Sequence, residues 1–469
     1  MNAGVEDRAI EELQELVKAH RRRLHKLRLR VALEGINARP EDLIEIEDTE
    51  QRLSELEEQL RHLGKAATAE RAALVGKVEN SLTRNLDPRI GNLEASLQYL
   101  TLNLRFSGRG DAGYEILFQS EVGDAAGDFA LPFTDAELLY FKLDVYRAIA
   151  TRGNLRGRLP SVLDRLKEFG QRLYEALPDV VKERYQAARD KAAAEGYQGV
   201  RLRLTFADPR LIPVPWECLY EPGRGEFLGL SGQTPLVRYA ELPYPPIVGF
   251  RPPLKILVTL PSPRDLPPLD AKRERERIAS ALRELETAQQ VSIRWLDATE
   301  SREPVTLEAF HDALFSFRPQ VLHFVGHGDF DSHRAEGYLF FEGTNREKDP
   351  ISSWRLAQLA TSVGSLRLAF LNACQGAATS EIDRLGGVAA ALAQKGIPAV
   401  IGMQFEVTDG AAIEFAGKFY QRLAQGAPVD TAVQEARIHV GVVKDNPVEW
   451  ATPVLYLLPR DGRVFRVEQ

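Results

Sequence analysis

The chain has 469 residues, 44% of them hydrophobic and 27% charged, with a formal net charge of -7. That balance excludes a wholly disordered or collagen-like polymer and gives no reason to expect direct nucleic-acid binding. Two cysteines, Cys218 and Cys374, exclude a disulfide-built scaffold and a four-cysteine zinc site; no metal or cofactor is expected.

The first residues, MNAGVEDRAIEELQEL, carry no basic segment leading into an apolar core, and no run reaches the ~18 apolar residues of a membrane span. The expectation is a cytoplasmic protein with reduced thiols and no membrane partner. Residues 1–64 read as a helical hairpin. Ile10, Leu13, Val17, His20, Leu24, Leu27 and Val31 step by three and four, and a second helix opens near Pro40 with Leu43, Ile46, Leu53, Leu56 and Leu60. The first helix is basic (Arg21, Arg22, Arg23, Lys26) and the second acidic (Glu41, Asp42, Glu45, Glu47), so an antiparallel pair matches charge as well as seam. Two helices alone bury little surface, which points to docking or self-association. Residues 65–95 read as a linker.

Residues 96–250 read as an α+β region. Strand-like alternation at 98–106 and 114–119 flanks SGRGDAG. The Gly108–Gly113 string has the GxGxxG form, but a strand rather than a helix follows, so a hairpin turn is the better account than a dinucleotide loop. Helical patterns follow at 134–150, 159–176 and 180–196, then strands RLRLTF and TPLVRYAEL. Trp216 and Glu217, behind Pro213 and Pro215, read as a structural clamp holding this region on the sheet, and Cys218 as an ordinary buried residue. Nine prolines between Pro243 and Pro268 read as punctuation between two units.

From 251 to 469 apolar runs alternate with amphipathic helices. The runs are KILVTL, VSIRWL, QVLHFVG, LRLAFLN, PAVIGM and PVLYLL; the helices fall at 270–288, 305–317, 352–362, 386–395, 408–425 and 430–440. Six such strands predict an α/β fold, a mostly parallel six-stranded sheet covered by helices on both faces. Chemistry then belongs outside the carboxyl ends of the strands. VLHFV is followed by Gly326-His327-Gly328, and LRLAFL by Asn372-Ala373-Cys374-Gln375-Gly376. A thiol nucleophile needs a base, and imidazole is its usual partner. Each residue alone is ordinary: most cysteines after buried strands are core, and most loop histidines are solvated. Both ending consecutive core strands, each with glycine within two positions, is not. Backbone N–H groups near Gly328 and Cys374 could stabilise an oxyanion. His323, inside its strand, reads as a hydrogen-bonded core histidine, and Asp409 as a first-turn or N-cap residue.

At these residues the chain resembles a CHAT domain, of the caspase, separase and gingipain class of cysteine peptidases. The likeness is carried by PWECLYEP, FLGLSGQTPLVRY, VLHFVGHGDFD, FLNACQG and GGVAAALAQKGIPAVIGMQFEVTD, across roughly 160–460. NACQG differs from the caspase-type Q-A-C-[RQG]-G only at its first position. The first 64 residues resemble, more faintly, a helical effector-associated module of bacterial conflict systems. The resemblance implies Cys374 as nucleophile, His327 as general base and acid, and the N–H groups of Gly328 and Cys374 as oxyanion donors. It implies a substrate-binding part for Asn372, and for Arg264 and Asp265 in the loop after the first core strand. It implies a latent cysteine endopeptidase acting on protein substrates in bacterial antiviral defence or programmed cell death, engaged by an upstream sensor or self-association through residues 1–64. A catalytically silent signalling scaffold is the alternative.

Overall fold

The computed structural model describes residues 99–468 apart from 110–112, 151–158, 240–241, 243–247, 267–270, 298–302, 332–335, 374–383, 406 and 445. The predicted hairpin at 1–64 and linker at 65–95 lie outside these residues, as does Cys374.

In chain order the elements begin with β1 (Tyr99–Gly108), β2 (Tyr114–Gln119) and β3 (Ala125–Phe129), then α1 (Asp135–Ala150), α2 (Leu159–Glu175), α3 (Asp179–Glu195) and β4 (Gly199–Phe206). A two-strand ribbon, β5 (Tyr220–Glu221) with β6 (Glu226–Phe227), precedes β7 (Leu236–Tyr239) and β8 (Val248–Phe250). The C-terminal half runs β9 (Leu254–Leu260), α4 (Ala271–Thr287), β10 (Val291–Asp297), α5 (Leu307–Phe317), β11 (Val321–Gly326), β12 (Gly328–Asp331), β13 (Glu336–Glu342), β14 (Lys348–Ser352) and α6 (Ser353–Val363). It ends with β15 (Leu368–Ala373), α7 (Arg384–Gln394), β16 (Ala399–Met403), α8 (Asp409–Ala424), α9 (Val429–Ile438), β17 (Pro453–Leu457) and β18 (Phe465–Val467).

The six predicted strands stand side by side in the order β10-β9-β11-β15-β16-β17, the first five parallel and β17 antiparallel to β16. They are unbroken apolar runs because both faces are covered: every residue of β11 is buried. Successive side chains alternate between two cores. Val321, Val325, Leu368, Phe370 and Ile401 pack with Ile278 and Leu282 of α4 and Phe415 and Phe419 of α8. Leu322, Phe324, Ala369, Leu371 and Val400 pack with Phe310 of α5, Leu356 of α6 and Val388 of α7. Small β12-β13-β14 lies with the second core through Leu339, Phe341 and Ile351.

The sheet does not stop at the proline-rich segment. β17 pairs with β7 on its far side, and β4, β1, β2 and β3 follow, so eleven strands form one sheet and Leu93–Gln469 cluster as one compact unit. The division at 250 is therefore a change of sequence pattern, not a break in the sheet. β1 and β2 pair antiparallel, with Gly108 opposite Tyr114. Glu217 bridges the two halves, and Trp216 beside it anchors the segment within the first. Trp216 is fully buried against Phe106 (ring centroids 4.7 Å) and Phe206 (5.2 Å), and its Nε1 donates to the Leu211 carbonyl at 2.9 Å. The Glu217 carboxylate, with no exposure, accepts from Arg238 Nε (3.0 Å) and Nη2 (2.7 Å) on β7 and from Gln404 Nε2 (3.0 Å) just past β16. Burial works against its charge, but Arg238 and then Arg437 outweigh that and hold the carboxyl below its usual range. Cys218 is fully buried, and burial with the Glu217 charge pushes its thiol up. No helix of the described residues is long and apolar enough to cross a membrane.

Candidate active site

Parallel pairing sets the register of the two strands that lead to the predicted catalytic residues. In β11 and β15, Val321 stands opposite Leu368, and the match runs to Gly326 opposite Ala373. Paired strands lie about 5 Å apart. His327 follows the first of that last pair, and in the sequence Cys374 follows the second. His327 is buried, with 6% exposure. Its carbonyl accepts from the Phe340 N–H at 3.0 Å, and Gly328, also buried, begins β12 opposite Leu339. The turn from β11 into β12 is thus pinned by backbone bonds to β13. Gly326 needs its lack of a side chain, since a Cβ would meet the Phe324 ring at 2.9 Å and Pro261 at 3.3 Å. The structure brings His327 to the carboxyl edge beside the end of β15, as the sequence anticipates. Cys374 itself is outside the described residues.

Asn372, the residue two before Cys374, is 7% exposed and shares its face of the sheet with Phe370 and His323. These side chains line a small pocket under α4 and α8, closed by Ile278, Met403 and Ala412, with room for about one water molecule. Glu274 and Arg277 of α4 also line it and contact each other. Asn372 Oδ1 and His323 Nε2 are buried and have no hydrogen-bond partner. His323 is the hydrogen-bonded core histidine expected: its Nδ1 lies 2.9 Å from the Tyr420 hydroxyl and its ring stacks on Phe370 at 4.5 Å. Burial pushes its pKa down to about 3 and pushes that of Tyr420 well up, so both are neutral near pH 7.

Arg264 and Asp265 are fastened to the β13–β14 hairpin. Both are exposed, in the loop after β9. Asp265 Oδ1 accepts from the Lys348 N–H at 2.7 Å, the Arg264 N–H donates to the Arg346 carbonyl at 2.8 Å, and Ser262 N–H donates to Glu342 Oε1 at 2.8 Å. These bonds fasten the loop to the β13–β14 hairpin, which belongs to the core opposite the Asn372 pocket. Sequence reading singled out neither Glu274 nor Arg277: in AKRERERIAS they look like any charged helix face, and only the packing of α4 turns them toward the sheet. Asp409 opens α8, whose N-cap is Thr408, with its hydroxyl accepting from Ala411 N–H. Among the described residues, no group of three or more His, Cys, Asp or Glu side chains is arranged to hold a metal ion.

A parallel sheet with a buried histidine at one strand end, and a cysteine next in sequence after the paired end of its neighbour, defines an α/β protein with a cysteine-peptidase-like fold. The family model for the CHAT domain matches residues 167–457, and the chain belongs to that family. No curated protein matches the sequence. Among solved structures, a Saccharomyces cerevisiae separase–securin complex is similar at 15% identity and a TM-score of 0.34, covering 96% of this chain and 27% of that one. A complex of the pro- and mature domains of Porphyromonas gingivalis RgpB is similar at 11% identity and a TM-score of 0.34, covering 66% and 78%. The chain therefore spans about a quarter of the length of the separase chain.

Proposed function

We propose that the protein is a cysteine endopeptidase with Cys374 as nucleophile and His327 as general base and acid. The observation that supports this most directly is the register that sets Gly326 opposite Ala373, one residue before each member of the pair. His327 takes the thiol proton as sulfur bonds to the substrate carbonyl carbon. The N–H groups of Gly328 and Cys374 receive the negative oxygen, and the tetrahedral species collapses to a thioester as His327 returns the proton to the leaving amine. Water, deprotonated by His327, then attacks the thioester and releases the acid, and the proton restores the thiol.

Membership of the CHAT family supports this reading, and the matched basic and acidic sequence patterns within residues 1–64 support an enzyme engaged through a sensor or a second copy, in bacterial defence or cell death. Wild type and Cys374→Ala, each incubated with a proteome-derived peptide pool, give the test. The expected result is a set of cleavages present only with wild type; identical products from both overturn the reading. Deletion of residues 1–64 is expected to change activation or partner binding, and no change in either removes the role given to the hairpin. In native protein, iodoacetamide is expected to modify Cys374 and to leave Cys218 unmodified until unfolding, because Cys218 is fully buried with a raised thiol pKa. Peptide mapping by mass spectrometry reads both sites at once.

A further inference from the structure

We infer that Arg203 on β4 is the centre of a binding site for a small divalent oxyanion of the phosphate type, separate from the peptidase machinery proposed above. Strand alternation puts Arg201, Arg203 and Thr205 on one face of β4. In register, Arg203 stands between Asn103 of β1 and Val237 of β7. It is only 3% exposed, and its guanidinium lies over the Tyr239 ring, 3.4 Å from the centroid. Nε and Nη2 of that guanidinium are buried and have no hydrogen-bond partner.

These two nitrogens are not an arbitrary pair. Nε–H and Nη2–H run parallel and form the side of a guanidinium that grips two oxygens of one oxyanion. Neighbouring arginines show that side in use. Arg238 on β7 gives Nε (3.0 Å) and Nη2 (2.7 Å) to the two oxygens of Glu217. Arg201 gives Nε to Asp430, and its Nη1 and Nη2 donate to the carbonyls of Arg460 (3.2 Å) and Asp461 (3.1 Å). Of these three, Arg203 has its fork unfilled. Burial lowers its pKa; Tyr239 opposes that, and the charges of Arg460 and Arg201 lower it further. A guanidinium stays charged all the same, and a buried cation with unanswered donors is costly, so a ligand accounts for the position better than stability does. Asp430 is committed to Arg201, so Arg201, Arg203 and Arg460 together keep an excess of positive charge. That excess suits a doubly charged phosphate or sulfate over a single carboxylate. Arg460 is exposed on the turn after β17, so its side chain is free to swing aside as the ion enters and to close on it. The Asn103 amide and the Thr205 hydroxyl, half-buried on the same face, are further donors within the cluster.

The test is isothermal titration of the full chain with inorganic phosphate, sulfate, O-phosphoserine and acetate, at constant ionic strength in chloride. We expect saturable one-site binding of phosphate and sulfate, and acetate weaker by at least about tenfold. O-phosphoserine binding more tightly than phosphate identifies a phosphomonoester as the ligand; equal or weaker binding identifies the free ion. Arg203→Lys, which keeps the charge and loses the fork, is expected to weaken phosphate binding about tenfold. Arg460→Ala, an exposed change that leaves the core intact, is expected to weaken it about threefold. Arg203→Met gives a readout that a purely structural role would move the other way. Its thermal midpoint in phosphate-free buffer is expected to rise, because a buried unpaired charge is gone, and phosphate should no longer raise it further. Wild type that shows no saturable binding of phosphate or sulfate overturns the site, and acetate binding as tightly as phosphate overturns the divalent assignment. Phosphate binding unchanged in both Arg203→Lys and Arg460→Ala overturns it by locating the ion elsewhere. A lowered midpoint for Arg203→Met in phosphate-free buffer overturns it too, by making Arg203 a structural residue.

Discussion

His323 gives the protein an acid sensitivity whose size follows from its burial. Its pKa is about 3 in the fold against an ordinary value of 6.5, because desolvation penalises the imidazolium. The folded chain holds the ring neutral while the unfolded chain takes up a proton below about pH 6.5. This contribution to stability is complete above that pH, falls as pH drops through the window from 6.5 to about 3, and is flat below it. At pH 4.5 the unfolded ring is protonated by two full units, worth about 2.7 kcal/mol at about 1.36 kcal/mol per unit, whereas at pH 7 the effect is only about 0.2 kcal/mol. Contributions shared by wild type and variant cancel in the difference, so comparison with His323→Leu isolates the histidine. Urea unfolding of both proteins at pH 7 and pH 4.5 should show the stability difference moving by about 2.5 kcal/mol against wild type at the lower pH. His323→Gln, also non-titrating near neutrality, should behave the same way. A difference that stays constant between the two pH values would refute the argument, since it would mean that the ring is protonated equally in both states.

Two further substitutions test the clamp between the halves of the sheet. Glu217→Ala leaves the buried Arg238 guanidinium without its carboxylate and should cost about 3–5 kcal/mol in urea unfolding. Glu217→Gln, which keeps an acceptor, should cost less. Gly170→Ala in α2 would place a Cβ 1.9 Å from the Cys218 carbonyl oxygen, with backbone on both sides, so α2 must shift away from the Trp216–Cys218 segment. We expect a loss of about 1–3 kcal/mol, read as a lowered thermal midpoint, and an unchanged midpoint would contradict the close packing.

Much of the C-terminal half is legible in the sequence because its signals are local. KILVTL, VLHFVG and LRLAFL are uninterrupted apolar runs, and only a strand covered on both faces tolerates that composition. The observed strands at 254–260, 321–326 and 368–373 coincide with these runs to within two residues. Short β12 and β14 escape notice because GDFD and KDPIS have no apolar periodicity; they are strands through pairing with β13. β3, AAGDF, is likewise a strand only because β2 lies beside it. The placing of Arg264 and Asp265 was hidden for a related reason. Their loop follows the first core strand, but bonds to Lys348 and Arg346, more than eighty positions away, decide which face they join.

The sequence by itself determined the alternation of strands and helices, the burial of both sheet faces, and the position of His327 and Cys374 directly after consecutive core strands. Those properties follow from side-chain hydrophobicity and backbone preference over short spans. Tertiary structure alone decided that the sheet continues from β17 to β7 across the proline-rich segment, that Gly326 stands opposite Ala373, and that α4 and α8 roof a pocket over Asn372 and His323. Strand order, register and helix packing join residues tens to hundreds of positions apart. The bonds that select among them are the same backbone N–H and C=O groups at every position, so local sequence does not discriminate between the arrangements.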